Sequence, residues 1–194
     1  MASLPIPPLE PLLAILDMAG VAVFAVSGAL AAARIKQTIV TFAFFAAITG
    51  IGGGTLRDLL IGAPVFWVGR SDYLGICLVA AAAVWLLKAD RWRLDALLWF
   101  DALGLGAYSV LGAAKALSLG VPALPSVIMG VLTASFGGIV RDLLAGEPSI
   151  LLRREIYVSA AALGAGIYVG LTLLGLSLWP AALIGAAAGF GLRG

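Results

Sequence analysis

Two arginine–aspartate pairs, Arg57-Asp58 and Arg141-Asp142, sit within otherwise apolar stretches, each just after a cluster of glycines. Charges in apolar surroundings mark ion paths, relays or buried ion pairs, because an uncompensated charge there is costly. The segment Gly53-Gly54-Thr55-Leu56-Arg57-Asp58-Leu59-Leu60 returns 84 residues later as Gly137-Gly138-Ile139-Val140-Arg141-Asp142-Leu143-Leu144. The same offset pairs Asp17 with Asp101, Gly20 with Gly104, Gly28 with Gly112, Thr49 with Thr133, Gly62 with Gly146, Pro64 with Pro148, Arg70 with Arg154 and Tyr73 with Tyr157. Hydrophobic drift would match alanines and leucines, but not charges, prolines and glycines together. The chain is an internal duplication, and in an apolar sequence that points to a transport fold.

Neighbouring residues on a helix point about 100° apart, so neither Arg-Asp pair is expected to neutralise itself. Each charge should face another helix or a wet cavity. Asp17 lies about as deep in its apolar segment as Arg57 does in the next, and the second copy repeats this with Asp101 and Arg141. Two polar clusters follow, one at each mouth, with Asp17–Arg57 and Asp101–Arg141 as candidate ion pairs. The plainer alternative is a snorkelling arginine beside a structural carboxylate. Gly50, Gly52, Gly53 and Gly54 crowd one helical turn, and Gly137-Gly138 repeat the feature. Glycine costs about 1 kcal/mol in a helix interior, so a kink or break is expected, with close helix packing as the alternative. Lys115 has Ala31 as its counterpart and breaks the symmetry. It either faces the pathway or snorkels to the interface. Thr49, Thr133, Ser135, Ser27, Tyr108 and Ser109 offer oxygens to a wet path, although Ser and Thr also bond their own helix.

The elements that must carry these residues are membrane helices. Of 194 residues, 62% are hydrophobic and 11% charged, with a mean hydropathy of +1.12. Soluble domains carry about 25% charged residues, so lipid must be the solvent here. A net charge of +2 without a basic tract gives no reason to expect nucleic acid. With no histidine and no nucleophile–base pair in the spans, an enzyme is not expected, nor is a metal or organic cofactor. The single cysteine, Cys77, excludes a disulfide within the chain.

Polar and proline breaks divide the chain into apolar segments at 12–33, 38–61, 73–88, 94–118, 122–145, 156–175 and 177–192. The first is expected to be a retained span rather than a signal peptide, because residues 1–11 hold no Lys or Arg. One side of the seven spans collects Arg34, Lys36, Lys88, Arg91, Arg93, Arg153, Arg154 and Arg193, and the other only Arg70 and Lys115. This bias predicts an external N-terminus and a cytoplasmic C-terminus. Three spans is an odd number, so the second copy must enter the membrane from the opposite face. The expected fold is an all-α integral membrane protein with seven transmembrane helices: a first three-helix repeat at 12–93, a second, inverted one at 94–176, and a seventh helix with a short tail at 177–194. Inverted repeats recur in proteins that move solutes.

These features together resemble the prokaryotic members of the trimeric intracellular cation (TRIC) channel family, whose halves are also described as a glycine transporter domain. The motif reads Gly52-Gly53-Gly54-Thr55-Leu56-Arg57-Asp58 in the first half; the second has Phe136 in place of the first glycine. The resemblance implies a multi-pass protein of the prokaryotic cell membrane and a homotrimer with one pore per protomer, lined by the first, second, fourth and fifth spans. It implies potassium as the main permeant ion, with sodium passing as well. It places the kinked glycine segments at the constriction, Arg57, Asp58, Arg141 and Asp142 along the gating network, and Lys115 in the pore. Charge counting does not by itself establish cation selectivity. A secondary transporter of a small solute such as an amino acid is the alternative, and a scaffold the third reading. A bound membrane lipid at Lys88, Arg91 and Arg93 is a further expectation.

Overall fold

The computed structural model describes residues 10–87, 94–147 and 156–193. It contains seven helices: α1 (Glu10–Arg34), α2 (Ile39–Leu60), α3 (Asp72–Leu86), α4 (Leu94–Ser118), α5 (Ala123–Leu144), α6 (Tyr157–Leu173) and α7 (Leu178–Arg193). No strand occurs among the described residues. All seven apolar segments read from the sequence become helices, with ends shifted by a few residues. The segments of α1, α2, α4 and α5 that are long and apolar enough to cross a membrane run over 18 to 22 residues. The apolar helices α3, α6 and α7 are shorter, at 15, 17 and 16 residues.

Helices α1, α2 and α3 pack on one another, as do α4, α5 and α6; α1 joins α4 and α2 joins α5 across the middle. Helix α7 lies on α4 and α6. Leucines and valines such as Val40, Leu59, Val79, Leu124, Leu143 and Leu183 stay exposed on the outside. That distribution is costly in water and suits hydrocarbon.

Both copies of the motif end their helix in the same way. After α2, Gly62 takes φ +67°, its N–H donating to the Leu59 carbonyl and that of Ala63 to the Asp58 carbonyl. After α5, Gly146 takes φ +68°, with Gly146 donating to Leu143 and Glu147 to Asp142. This is the Schellman cap, whose left-handed position favours glycine. The repeat-paired glycines are thus stop signals that end each helix just beyond its Arg-Asp pair.

The expected helix break is absent. Helix α2 continues as α-helix through Gly50, Gly52, Gly53 and Gly54, and α5 through Gly137 and Gly138. The glycines serve close approach instead. A Cβ on Gly53 would strike the Thr133 carbonyl, and one on Gly137 the Thr49 carbonyl. Glycine's missing side chain removes the steric bar to this crossing, and tight packing is the main attraction between helices in lipid. Other small residues act within the chain too: a Cβ on Gly185 would lie 2.7 Å from the Gly164 carbonyl, and one on Gly106 2.8 Å from that of Ala186. The stripes around Gly164 and Gly185 therefore seat α7 on α6.

Candidate functional site

Contacts between the halves are reciprocal. Gly53 meets Thr133 while Gly137 meets Thr49, and a Cβ on Gly20 would run into Tyr108 while one on Gly104 would run into Phe24. Phe24 and Tyr108, themselves 84 residues apart, meet edge to face at 5.3 Å. Since residue 53 lies by 133 and 49 by 137, α2 and α5 cross antiparallel. At 1.5 Å per residue, Arg57 and Arg141 are then about 18 Å apart along the crossing, one towards each end.

At the first end, Asp58 is fully buried and fully satisfied. Its Oδ1 accepts from Arg57 Nε at 2.8 Å and pairs with Lys115 Nζ at 2.8 Å. Its Oδ2 accepts from Lys115 at 2.9 Å and from the Phe66 backbone N–H at 3.0 Å. The loop after α2 folds back to make this last bond, and Trp67 Nε1 donates to Thr55 Oγ1 at 2.9 Å. Asp17 takes two tyrosines: Tyr73 donates to Oδ2 at 2.8 Å, and Tyr108 to the backbone carbonyl at 2.9 Å and to Oδ1 at 3.3 Å. A cavity of about 400 Å³ opens here, lined by Asp17, Arg57, Phe66, Arg70, Tyr73 and Lys115 among others.

At the second end, Arg141 ties three helices together. Its Nη1 donates to Asp101 of α4 at 2.7 Å and to the Ser27 hydroxyl of α1, while Nε and Nη2 each reach Asp142 Oδ1 at 2.8 Å. Arg141 and Asp101 are essentially shut off from solvent and Asp142 nearly so. One end thus opens to a vestibule, and at the other the charges form a buried ion cluster.

Of the two expected cross-helix ion pairs, Asp101–Arg141 forms. Asp17–Arg57 does not: the tyrosines take Asp17, and Arg57 turns to Asp58, though both Asp17 and Arg57 line the vestibule. The expectation that neither Arg-Asp pair neutralises itself is also wrong. Arginine's long flexible stem covers the angle between adjacent positions, and burial penalises any charge left alone. Lys115 spans from α4 to α2 with its side chain about one-third exposed. Thr133 and Ser135 bond their own helix, donating to the carbonyls of Met129 and Val131 at 2.6 Å each. The Thr49 hydroxyl is buried without a hydrogen-bond partner. The roles of the Tyr73 hydroxyl and the Phe66 backbone N–H were missed; Tyr73 carried a signal in its pairing with Tyr157, whereas Phe66 carried none. Lys88, Arg91, Arg93, Pro148, Arg153 and Arg154 lie outside the described residues.

A seven-helix membrane protein built on a duplicated, charge-bearing helix pair is the class that fold and site define. The family model described as glycine transporter matches residues 14–89 and again residues 98–173. A UPF0126 membrane protein of Vibrio cholerae is 41% identical over 180 residues, covering 90% of this chain and 74% of its own. The structure of a TRIC trimeric intracellular cation channel orthologue from Rhodobacter sphaeroides is similar, with a TM-score of 0.91 and 44% identity over 95% of this chain and 96% of that one. A prokaryotic TRIC channel solved in 0.5 M KCl gives a TM-score of 0.86 at 26% identity, covering 94% of each chain. The chain belongs to the TRIC channel family, the family of the glycine transporter model.

Proposed function

We propose that this protein is a monovalent cation channel, conducting potassium and also sodium through one pathway in each protomer of a homotrimer. The pathway runs among α1, α2, α4 and α5, with Gly52, Gly53, Gly54, Gly137 and Gly138 at its constriction. Thr49 and Thr133 lie beside that crossing and Ser135 next to it. Residues 12–93 and 94–176 are the inverted units, 177–194 is an addition to them, and the N-terminus is external. The observation that carries this reading is the close α2–α5 crossing flanked by charge clusters at opposite ends, Asp17–Arg57–Asp58–Lys115 beside a cavity and Asp101–Arg141–Asp142 buried. The named channel structures to which the chain is similar support it. Fixed carboxylates and helix dipoles near a narrow wet passage stabilise a cation that has shed water. Asp58, Asp101 and Asp142 are here paired with Arg57, Lys115 and Arg141, so conduction requires the pairs to loosen.

Single-channel recording in planar bilayers under a potassium gradient tests this, with the parent beside Asp142→Asn and Gly53→Leu. The expected result is discrete current steps that reverse near the potassium potential and change with either substitution. The family model's description as a glycine transporter keeps small-solute transport as the second reading. A silent bilayer together with saturable solute uptake into liposomes would decide for that reading.

A further inference from the structure

The two motif arginines occupy matching places in the repeat, but only Arg141 has both terminal nitrogens bonded. Its Nη1 donates to Asp101 and to the Ser27 hydroxyl, and its Nη2 pairs with Asp142. Arg57 donates from Nε to Asp58 Oδ1, and its Nη1 and Nη2 meet no protein acceptor among the described residues. The repeat explains the difference. The residue 84 positions after Ser27 is Leu111, whose side chain accepts nothing. The counterpart of Asp101 is Asp17, whose two oxygens take the Tyr73 and Tyr108 hydroxyls.

Arg57 is only 2% exposed, yet it lines the vestibule. A buried donor without an acceptor is costly, and the paired Nη groups of a guanidinium match the two oxygens of a carboxylate. Lys115 adds a second positive group to the same cavity: its ammonium reaches both Asp58 oxygens and its side chain stays about one-third exposed. Arg57 Cζ and Lys115 Nζ lie 6.0 and 5.9 Å from the centre of the Phe66 ring, which gathers both cations at one wall. Leu111, Ala114 and Leu178 make other parts of the lining apolar. The cavity of about 400 Å³ is towards the lower end of the ~300–1,000 Å³ usual for ligand pockets, which suits a small solute.

We propose that the vestibule binds the carboxylate group of a small organic solute, its two oxygens on Arg57 Nη1 and Nη2 and Lys115 as the flanking charge. Asp17 lines the same cavity and attracts a positive group, so a solute that also carries an ammonium gains a second anchor. The second half offers no equivalent site, because Asp101 and Ser27 already take Arg141 Nη1 and Asp142 takes Nη2. The inference goes beyond conduction and does not rest on it.

Isothermal titration of the full chain in mild detergent, with potassium chloride holding the ionic strength constant, tests this with acetate and with glycine. Both should bind the parent saturably. Arg57→Lys keeps a positive charge beside Asp58 but loses the two-pronged donor, so it should weaken binding of both several-fold. Leu111→Ser returns to Arg57 the hydroxyl that Ser27 gives Arg141, and should also weaken binding several-fold with Arg57 intact. The thermal unfolding midpoint shows which variants fold, and Leu111→Ser decides if Arg57→Lys does not. Tighter binding of glycine than of acetate, with the advantage lost in Asp17→Asn, marks a zwitterion as the ligand; equal binding marks the carboxylate alone. No saturable binding of either, inorganic phosphate bound in their place, or binding that both substitutions leave unchanged would overturn the inference. A silent bilayer would sink the channel reading without altering this result, since binding is read without current.

Discussion

Asp58 and Arg141 are the hubs of the two clusters and carry opposite charge, and each binds several partners. Removing one member of a buried ion network leaves a charge without compensation, at a cost of about 3–5 kcal/mol. Arg141→Met strands Asp101 and takes one partner from Asp142, so it should lower stability by about that amount, read as a large fall in the thermal unfolding midpoint in detergent. Lys115→Gln should be far milder, at about 1 kcal/mol or less, because Lys115 is partly solvated and Asp58 keeps Arg57 and the Phe66 N–H. If Lys115→Gln proved as damaging as Arg141→Met, the difference in burial would not be what ranks these residues.

At the scale of the helix, the glycines divide sharply by what a side chain would meet. A Cβ at Gly53 strikes the Thr133 backbone, which cannot rotate away, whereas one at Gly52 meets only the edge of the Phe136 ring at 3.9 Å. Gly53→Ala should therefore push α2 from α5 and cost about 1–3 kcal/mol. Gly52→Ala should be neutral or stabilising by about 0.5–1 kcal/mol, since alanine gives up less backbone freedom in a helix. Thermal unfolding of the two purified variants checks the contrast, and equal effects would count against the close crossing. The motif glycines look interchangeable in sequence; their neighbours across the interface make them unequal.

For the molecule as a whole, two expectations can be checked without electrical recording. In mild detergent the native mass of the protein component should be three times 19.8 kDa, and a monomer would remove the proposed trimer. Orientation can be read by labelling single cysteines in intact cells. Ser118→Cys, at the vestibule end of α4, should react with an impermeant reagent applied outside, whereas Gln37→Cys, between α1 and α2, should react only after the membrane is opened. The reverse pattern would invert the proposed topology.

Much of this protein was legible in its sequence because lipid simplifies the code. Every backbone group must be bonded within its own helix, so an apolar run of sufficient length reads directly as a helix, and all seven were found. The duplication was equally plain, since repeated Arg-Asp pairs, stop glycines and tyrosines do not recur at one offset by chance. The pairing of Asp101 with Arg141 also followed, because both were placed at one depth. What the tertiary structure decided was which partner each charged group takes and what each glycine touches. The same depth argument failed for Asp17 and Arg57, because depth fixes height along a helix but not the direction of a flexible side chain. Two tyrosines reached Asp17 first, and Arg57 curled onto the residue beside it. The glycines signalled weakness in the helix, yet the neighbouring helix filled the space they left and kept α2 whole. Arg193 held no special place in the repeat, and only the packing of α7 brought its guanidinium over the Tyr157 ring.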